Sequence, residues 1–328
     1  MSVLNERKGT NEMSSWYEKV EKKLPIYLSI LLVVGLMVGA SEVFKEKEIL
    51  FPEIGAIAVG SILAPKMAWR TSKIRIVLFI ALCAVGGVAI VKYCPGGLTV
   101  QMILAYLIAQ IIFLLSKTSF APMISAMVLP VLLQVTSPVY LMAAPILTIL
   151  IMALRLILEK AQIREENDYI PVKRVGEDVR DLVIRTLIAG AIIAFALWSG
   201  LKFMVAPPLL VAYTEFTNRG SAARKQPVKA VILLSLSALF GSAFRYLLCL
   251  RLGFSATMAV LLAMLLTLCV VELFGMYIPP AGALCALAFL IPEDMVFLYP
   301  LHALLGISVL MASALLFFQG KKGSIQGY

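Results

Sequence analysis

The residues best suited to chemistry lie in four short apolar segments that each open with proline. They span residues about 51–67, 120–136, 204–217 and 278–292. Proline favours the first turn of a helix, because its missing N–H costs nothing there and its φ angle is already helical. A helix N-terminus carries unpaired N–H donors and about half a positive charge, so it attracts anions. These segments therefore predict a small-anion site built from backbone N–H groups.

The predicted substrate-binding residues are the opening prolines and the small or polar residues near them. The set comprises Pro52, Glu53, Gly55, Ser119, Pro122, Ser125, Pro207, Pro208, Thr214, Glu215, Pro279, Pro280 and Gly282. We expect it near the middle of the membrane, where segments that enter from opposite sides meet. If the prolines only kink ordinary helices, the set does not form one site.

Two carboxylates in these segments each admit more than one interpretation. Glu53 lies one residue inside a helix start, where the dipole favours a structural cap, but it could also couple transport to an ion. Glu215 lies four residues before Arg219, a spacing that allows an ion pair, while a gate or a coupling role is the alternative. The sequence leaves both questions open.

Other polar residues in the apolar segments are expected to be structural. Arg155 and Arg245 lie within two turns of segment ends, so we expect their side chains to snorkel toward the interface. His302, the single histidine, is expected to be a hydrogen-bonded packing residue, with a proton relay as the alternative. The five cysteines form no C-x-x-C pair, which favours a packing role over a disulfide or a metal site.

A search for catalytic motifs finds none. The chain has no H-E-x-x-H, Walker A, G-x-S-x-G or dinucleotide-binding pattern, each of which a common class of enzyme needs. We therefore expect no enzyme activity, no catalytic residue, no cofactor and no bound metal. An ATP-driven pump would need a separate subunit to supply the nucleotide-binding domain.

The elements that must position these residues are membrane helices. Of the 328 residues, 61% are hydrophobic and 15% are charged, with a mean hydropathy of +0.95. Soluble domains are about 45–50% apolar and about 25% charged, so the composition excludes soluble enzymes and nucleic-acid-binding domains and makes the lipid bilayer the first partner. Eight segments reach the length of about 20 residues that a spanning helix needs. They are about 25–44, 75–93, 98–116, 139–158, 183–202, 230–249, 254–274 and 295–317.

Charge placement predicts how these segments cross the membrane. Counting the four short segments as crossings gives twelve, with both termini on one side. If that side is the cytoplasm, it holds 23 of the 29 lysines and arginines, and the other side holds six. This skew follows the positive-inside rule, so we expect a multi-pass plasma-membrane protein with cytoplasmic termini. The formal net charge of +10 then reflects topology more than an acidic partner.

An internal repeat predicts that the chain has two related halves. With a shift of 155 residues, Pro52 aligns with Pro207, Arg70 with Lys225 and Gly86 with Gly241. Further along, "SFAPMISAMVLP" aligns with "YIPPAGALCALAF" after a slip of two or three residues. Six segments per half give both copies the same orientation. The sequence thus predicts an all-α integral membrane protein of about twelve segments in two parallel six-segment repeats, with four short, proline-led broken or re-entrant helices.

The repeat also predicts the domain boundaries. They are a cytoplasmic N-terminal segment 1–24, a first membrane repeat 25–158, a cytoplasmic linker 159–182, a second membrane repeat 183–318 and a cytoplasmic tail 319–328. We interpret no part of the N-terminal segment as a cleaved signal peptide, since the apolar run that follows it has no small-residue cleavage pattern.

The segments "IPPAGALCALAFL" from Ile278, "FPEIGAIAVGSILAPK" from Phe51 and "APPLLVAYTEF" from Ala206 resemble the HPP family of integral membrane proteins, named for a His-Pro-Pro motif. Pro279, Pro280, Ala281 and Gly282 match that motif, whereas Ile278 stands where the family has histidine. The likeness covers about residues 25–157 and 183–318. It implies a helical membrane carrier, because members of the family are linked with nitrite or nitrate transport.

Three functions remain at this point. We expect a secondary carrier or channel for a small inorganic anion such as nitrite or nitrate, bound near the midplane by the N-termini of broken helices. One alternative is a proton- or cation-coupled transporter or exporter of a small organic solute. The other is a non-transporting membrane scaffold or sensor. The expected partners are the bilayer and a small anion or other solute, with no nucleic acid; a homo-oligomer is left open.

Overall fold

A computed structural model describes residues 2–166, 169–172 and 176–318 of the chain. The predicted tail, 319–328, lies outside the described residues, as do parts of the predicted linker. Every regular element among the described residues is helical. The helices, in chain order, are α1 Ser2–Phe44, α2 Glu53–Ala58, α3 Lys73–Tyr93, α4 Leu98–Leu115, α5 Pro122–Leu133, α6 Pro138–Lys160, α7 Gly176–Trp198, α8 Pro207–Thr217, α9 Ala222–Lys225, α10 Pro227–Phe244, α11 Ala256–Phe274, α12 Pro280–Leu287 and α13 Tyr299–Phe317.

Eight of these helices are long and apolar enough to cross a membrane. They are α1, α3, α4, α6, α7, α10, α11 and α13. The eight long spans expected from the sequence are thereby confirmed, and the chain is an all-α, multi-pass membrane protein. Helix α10 continues through a π-helical stretch, Arg245–Arg251, which lengthens that span.

Local sequence signals set several ends of the long helices. Helix α3 begins after Ser72, whose hydroxyl accepts a hydrogen bond from the Arg75 amide, and α11 begins after Ser255, which caps Met258 in the same way. These side chains satisfy N–H groups that have no partner within the helix. Helix α11 ends at Gly275, whose φ of 57° is left-handed and suits glycine.

The four short helices form the centre of the molecule. Helix α2 continues as a π-helical turn, Val59–Leu63, and α5, α8 and α12 begin at Pro122, Pro207 and Pro280. The longest, α5, has 12 residues, or about 18 Å at 1.5 Å per residue, which is less than the hydrocarbon thickness of about 30 Å. Nearly every residue of the four is buried.

The long helices surround the short ones. Helix α2 packs on α6 and α12, α5 on α3, α4 and α8, and α12 on α10 and α11. The long helices turn apolar side chains outward, as Leu28, Leu32 and Leu36 of α1 do. Because protein covers the irregular backbone before each short helix, that backbone can lie at membrane depth without exposing polar groups to lipid.

The short helices run in opposite directions between two ends of the bundle. The basic face is the end that holds the ion pair between Lys73 and Glu159 and the bond from Arg75 to the Ser116 carbonyl. The opposite face is the end at which Gln134 donates to Gln101. Helices α2 and α8 end toward the basic face, while α5 and α12 end toward the opposite face, so their first turns lie between the two.

Guanidinium groups bind the carboxyl ends of three short helices. Arg164 donates to the Ile62 and Leu63 carbonyls after α2, and Arg224 donates to the Phe216 carbonyl of α8 at 3.1 Å. Arg245 Nη1 lies 2.6 Å from the carbonyls of both Ala288 and Ile291, just after α12. Cations at these ends satisfy free carbonyls and oppose the negative end of the helix dipole.

The expectation that Arg155 and Arg245 snorkel to the interface is wrong. Arg155 is 0% exposed, and its guanidinium binds Glu159 Oε1 at 2.7 Å and the Ser61 carbonyl. Arg245 is 6% exposed. Buried carbonyls at the ends of short helices lie within hydrogen-bond distance of these side chains, so both arginines bind backbone oxygen inside the protein.

Candidate functional site

The first turns of the four short helices surround one small cavity. Its lining consists of Glu53 and Ala56 of α2, Pro122 and Ser125 of α5, Pro208 and Val211 of α8, and Pro280 and Ala283 of α12. The space between these residues is too narrow to admit a water-sized sphere. The cavity is therefore closed in this conformation, and a ligand could enter only if the short helices moved apart.

Two glycines explain how α2 and α12 approach so closely. A Cβ atom added to Gly55 would overlap the Gly282 carbonyl, and one added to Gly282 would overlap the Gly55 carbonyl. Only residues without a side chain allow this backbone contact. The crossing brings the first turns of both helices to the cavity, although neither glycine lines it.

Glu53 and Ser125 are the polar side chains of the cavity. Both are 0% exposed, and the Ser125 hydroxyl donates to Glu53 Oε1. Glu53 Oε2 has no hydrogen-bond partner, and no cationic side chain lies within ion-pair distance of Glu53, among the described residues. A buried carboxyl group with a free oxygen can take up a proton or bind a ligand.

The groups around Glu53 from neighbouring helices are already bonded or apolar. Tyr140 of α6 and Tyr299 of α13 lie close enough to Glu53 to interact with it electrostatically. The Tyr140 hydroxyl donates to the Ala126 carbonyl at 2.9 Å, and the Tyr299 hydroxyl donates to the Leu284 carbonyl at 3.0 Å. Neither hydroxyl supplies a counter-charge, so the free oxygen of Glu53 remains available.

Helix dipoles give the cavity a positive potential. Each helix N-terminus is equivalent to about half an elementary charge, so four together contribute about +2. An ionised Glu53 would cancel roughly half of that, and a protonated Glu53 would cancel none. The cavity can thus attract an anion in both protonation states, more strongly when Glu53 is neutral.

The structure brings five of the thirteen predicted site residues to the cavity wall. They are Glu53, Pro122, Ser125, Pro208 and Pro280. Five others lie in or next to the same first turns without lining the cavity. These are Pro52, Gly55, Pro207, Pro279 and Gly282.

The remaining three predicted residues lie away from the cavity. Ser119 precedes α5, and its hydroxyl accepts a hydrogen bond from the Arg70 amide at 2.8 Å. Thr214 lies one turn beyond Val211 on α8 and accepts a hydrogen bond from Gln110 at 2.8 Å. Glu215 faces Trp69. The pair between Glu215 and Arg219 that the spacing allows is not formed among the described residues, where Arg219 lies 3.9 Å from Asp181.

The sequence reasoning missed a second polar group, which lies beside Thr214. It contains Tyr106 and Gln110 of α4, Arg185 of α7 and Tyr213 of α8. The available signal was Gln110, an amide in the apolar stretch 107–115 of α4. The partners of that amide come from other helices, so the run itself could not identify them.

Several other polar residues lie outside both polar groups. Glu272, at the end of α11, pairs with Lys23 at 2.6 Å. All five cysteines are free. His302 is 5% exposed, and its Nδ1 lacks a hydrogen-bond partner among the described residues, so the expected hydrogen bond is missing at that atom. Within the same part of the chain, no three His, Cys, Asp or Glu side chains converge as a metal site would require.

Comparison with known proteins gives no relative for this chain. No family model, no curated protein and no solved structure matches it. The cavity and its surroundings are therefore the basis on which function can be inferred.

Proposed function

We propose that this protein is a membrane transporter for a small inorganic anion such as nitrite or nitrate. The observation that carries the proposal is the convergence of four helix N-termini on one buried cavity. First-turn amides such as those of Ile54, Leu209 and Gly282 already donate to preceding carbonyls, so the attraction for an anion comes from the helix dipoles, which need no fixed cation. Discontinuous helices at corresponding places in two halves are typical of transporter sites. The resemblance to the HPP family agrees with this function.

We further propose that the chain has twelve membrane segments in two parallel repeats. Equivalent contacts in the two halves support this. The Tyr140 hydroxyl binds a carbonyl of α5, and the Tyr299 hydroxyl binds a carbonyl of α12. Gly87 of α3 packs against the Met127 carbonyl of α5, and Gly241 of α10 packs against the Cys285 carbonyl of α12.

The proposed orientation places the basic face in the cytoplasm of the cell, in the plasma membrane. The excess of lysine and arginine in the connections at that end supports it. In this orientation α2 and α8 descend from outside, while α5 and α12 ascend from inside. Transport would require α2 and α12, or α5 and α8, to separate alternately and open the cavity to one side at a time.

Uptake by proteoliposomes tests the proposed function. Wild-type protein should carry nitrate or nitrite along its gradient, and Ser125→Ala should slow that uptake because a cavity hydroxyl is lost. Ser237→Ala is the matched control, since Ser237 is also buried but its hydroxyl donates to the Leu233 carbonyl of its own helix. No flux of nitrate, nitrite or chloride through wild-type protein would refute the proposal.

Glu53 favours a second candidate, a proton- or cation-coupled transporter of a small organic solute. A buried carboxyl group without a cationic partner is a typical coupling site in membranes. Glu53→Gln keeps a hydrogen-bonding group of similar size but cannot ionise. If it abolishes pH- or sodium-driven transport while the exposed control Glu293→Gln does not, coupling through Glu53 is supported; unchanged coupling removes this candidate.

A non-transporting scaffold or sensor makes a different prediction. Its cavity would stay closed, so a cysteine introduced by Ser125→Cys would not react with water-soluble thiol reagents. Labelling at position 125 that added nitrate blocks would support a transport site.

A further inference from the structure

A second set of unpaired hydrogen-bond donors lies between α4, α7 and α8. We call it the Arg185 cluster; its members are Tyr106, Gln110, Arg185, Tyr213 and Thr214. Arg185 Nη1 donates to Gln110 Oε1 at 2.9 Å, and Gln110 Nε2 donates to Thr214 Oγ1 at 2.8 Å. The Tyr106 hydroxyl lies beside Gln110 and Thr214 and near Arg185 and Tyr213, and the Tyr213 hydroxyl also lies near Ser313 of α13. Three helices therefore direct polar groups toward one place.

The cluster has more donors than acceptors. Gln110 Oε1 and Thr214 Oγ1 already accept the two bonds just described, and Thr214 Oγ1 donates to the Leu210 carbonyl at 3.2 Å. The Tyr106 hydroxyl, the Tyr213 hydroxyl and Arg185 Nε are buried and have no hydrogen-bond partner among the described residues. Tyr106 and Tyr213 are both 0% exposed. A buried hydrogen-bond donor without an acceptor is costly in free energy. The cluster therefore lacks a group that accepts hydrogen bonds and donates none.

The charge of Arg185 points to the same missing component. Among the described residues, no carboxylate lies within ion-pair distance of its guanidinium. Asp178 and Asp181 act on it from a longer range, and Asp181 lies 3.9 Å from Arg219. Buried charges in proteins are normally paired and hydrogen-bonded. An acceptor that also carries negative charge would complete the cluster.

We propose that the Arg185 cluster binds a second small anion, an oxyanion or a halide, held by Arg185 Nε–H and the hydroxyls of Tyr106 and Tyr213. Guanidinium N–H groups suit planar oxyanions, which they bind through charge-assisted hydrogen bonds. The residues forming the cluster are uncharged apart from Arg185, so a monovalent anion balances it. Gln110 holds the guanidinium in place through Nη1, which leaves Nε for the ligand.

The position of the cluster gives it a role in transport. Thr214 lies three residues after Val211 of the cavity wall, about 4.5 Å further along α8 toward the basic face. The anion bound there would occupy an intermediate binding site between the cavity and the basic face. This role rests on the proposed transport function, whereas anion binding by the cluster does not.

Nitrate-dependent thermal unfolding of the detergent-solubilised full chain tests binding. Sodium nitrate should raise the Tm in a saturable way relative to sodium gluconate at equal ionic strength, because a ligand of the native state stabilises it. Measurements in the Ser125→Ala background reduce the contribution of the cavity. In that background, Tyr106→Phe and Tyr213→Phe should each weaken nitrate binding about tenfold, the loss expected for one hydrogen bond to a charged group.

Tyr140→Phe is the matched control, because the Tyr140 hydroxyl already donates to a carbonyl, and it should leave the nitrate affinity unchanged. The phenylalanine variants keep the aromatic ring and remove an unpaired hydroxyl, so they should fold. An unchanged nitrate response in Tyr106→Phe and Tyr213→Phe, or no response in wild-type protein, would overturn the inference. Binding that depends on both hydroxyls without any flux would refute the transport function and leave the site standing.

Discussion

The backbones of Gly55 and Gly282 are in direct contact where α2 crosses α12. This contact joins a helix that ends toward the basic face to one that ends toward the opposite face. It fixes the first turns of both helices beside the cavity that contains Glu53 and Ser125. A side chain at either position would have to displace backbone, which cannot move as a flexible side chain does.

Gly282→Ala should therefore destabilise the protein. The added methyl group meets the Gly55 carbonyl, and overpacking of this kind costs about 1–3 kcal/mol. The measurement is the free energy of unfolding in mixed micelles by SDS titration. Gly97→Ala is the control, since a Cβ there meets nothing within 4 Å. Equal stability of the two variants would contradict the close crossing.

A double-mutant cycle should detect the bond between Ser125 and Glu53. Ser125→Ala removes the donor and Glu53→Leu removes the acceptor, so their effects on the free energy of unfolding should not add. Residues in direct contact typically show interaction energies of about 0.5–3 kcal/mol. The pair Ser237→Ala and Glu53→Leu, which lacks this contact, should be additive; a zero interaction energy for Ser125 and Glu53 would refute the bond.

Arg245→Gln should cost more stability than Arg251→Gln. The Arg245 guanidinium binds the Ala288 and Ile291 carbonyls in a buried position, and leaving a buried acceptor unpaired costs about 1–3 kcal/mol. Arg251 lies on the same π-helical stretch but is exposed and stacks on Tyr246. Arg251→Gln should lower the free energy of unfolding by less than about 1 kcal/mol. Thermal unfolding of both variants measures the difference. A larger loss of stability in Arg251→Gln than in Arg245→Gln would show that the Arg245 hydrogen bonds after α12 do not stabilise the protein.

Glu159→Gln should be among the most destabilising single charge changes. Glu159 binds Arg155 and Lys73 at 2.7 and 2.6 Å, and Arg155 has no access to solvent. Removing one partner of a buried pair costs about 3–5 kcal/mol, because the other charge stays buried. Glu165→Gln removes an exposed pair with Lys66 and should cost less than about 1 kcal/mol. Similar unfolding energies for the two variants would contradict the buried network.

Much of the helix pattern was predictable from local signals. Apolar length identified the eight spans, and Pro122, Pro207 and Pro280 identified the starts of three short helices. These features depend on neighbouring residues, since hydropathy and the fixed φ of proline act locally. The boundaries differ by a few residues, because capping by Ser72 and by Ser255 depends on side-chain geometry that hydropathy does not contain.

Contacts between distant residues were not predictable in the same way. Ser125 and Glu53 are 72 positions apart, and Arg245 binds carbonyls 43 and 46 positions away. The rule that arginine near a span end extends toward water failed, because short helices inside the bundle offer buried carbonyls within hydrogen-bond distance of both side chains. The Arg185 cluster was missed for a related reason: Tyr106, Gln110 and Tyr213 each look like packing residues until three helices are brought together.

Nitrate uptake into proteoliposomes, compared between wild-type protein, Ser125→Ala and Ser237→Ala, tests the central claim most directly. If the four helix N-termini form the transport site, wild-type protein and Ser237→Ala carry nitrate or nitrite at similar, saturable rates. Ser125→Ala is then several-fold slower at equal protein content. Absence of flux in wild-type protein for every anion tested, or equal rates in all three proteins, would contradict the account.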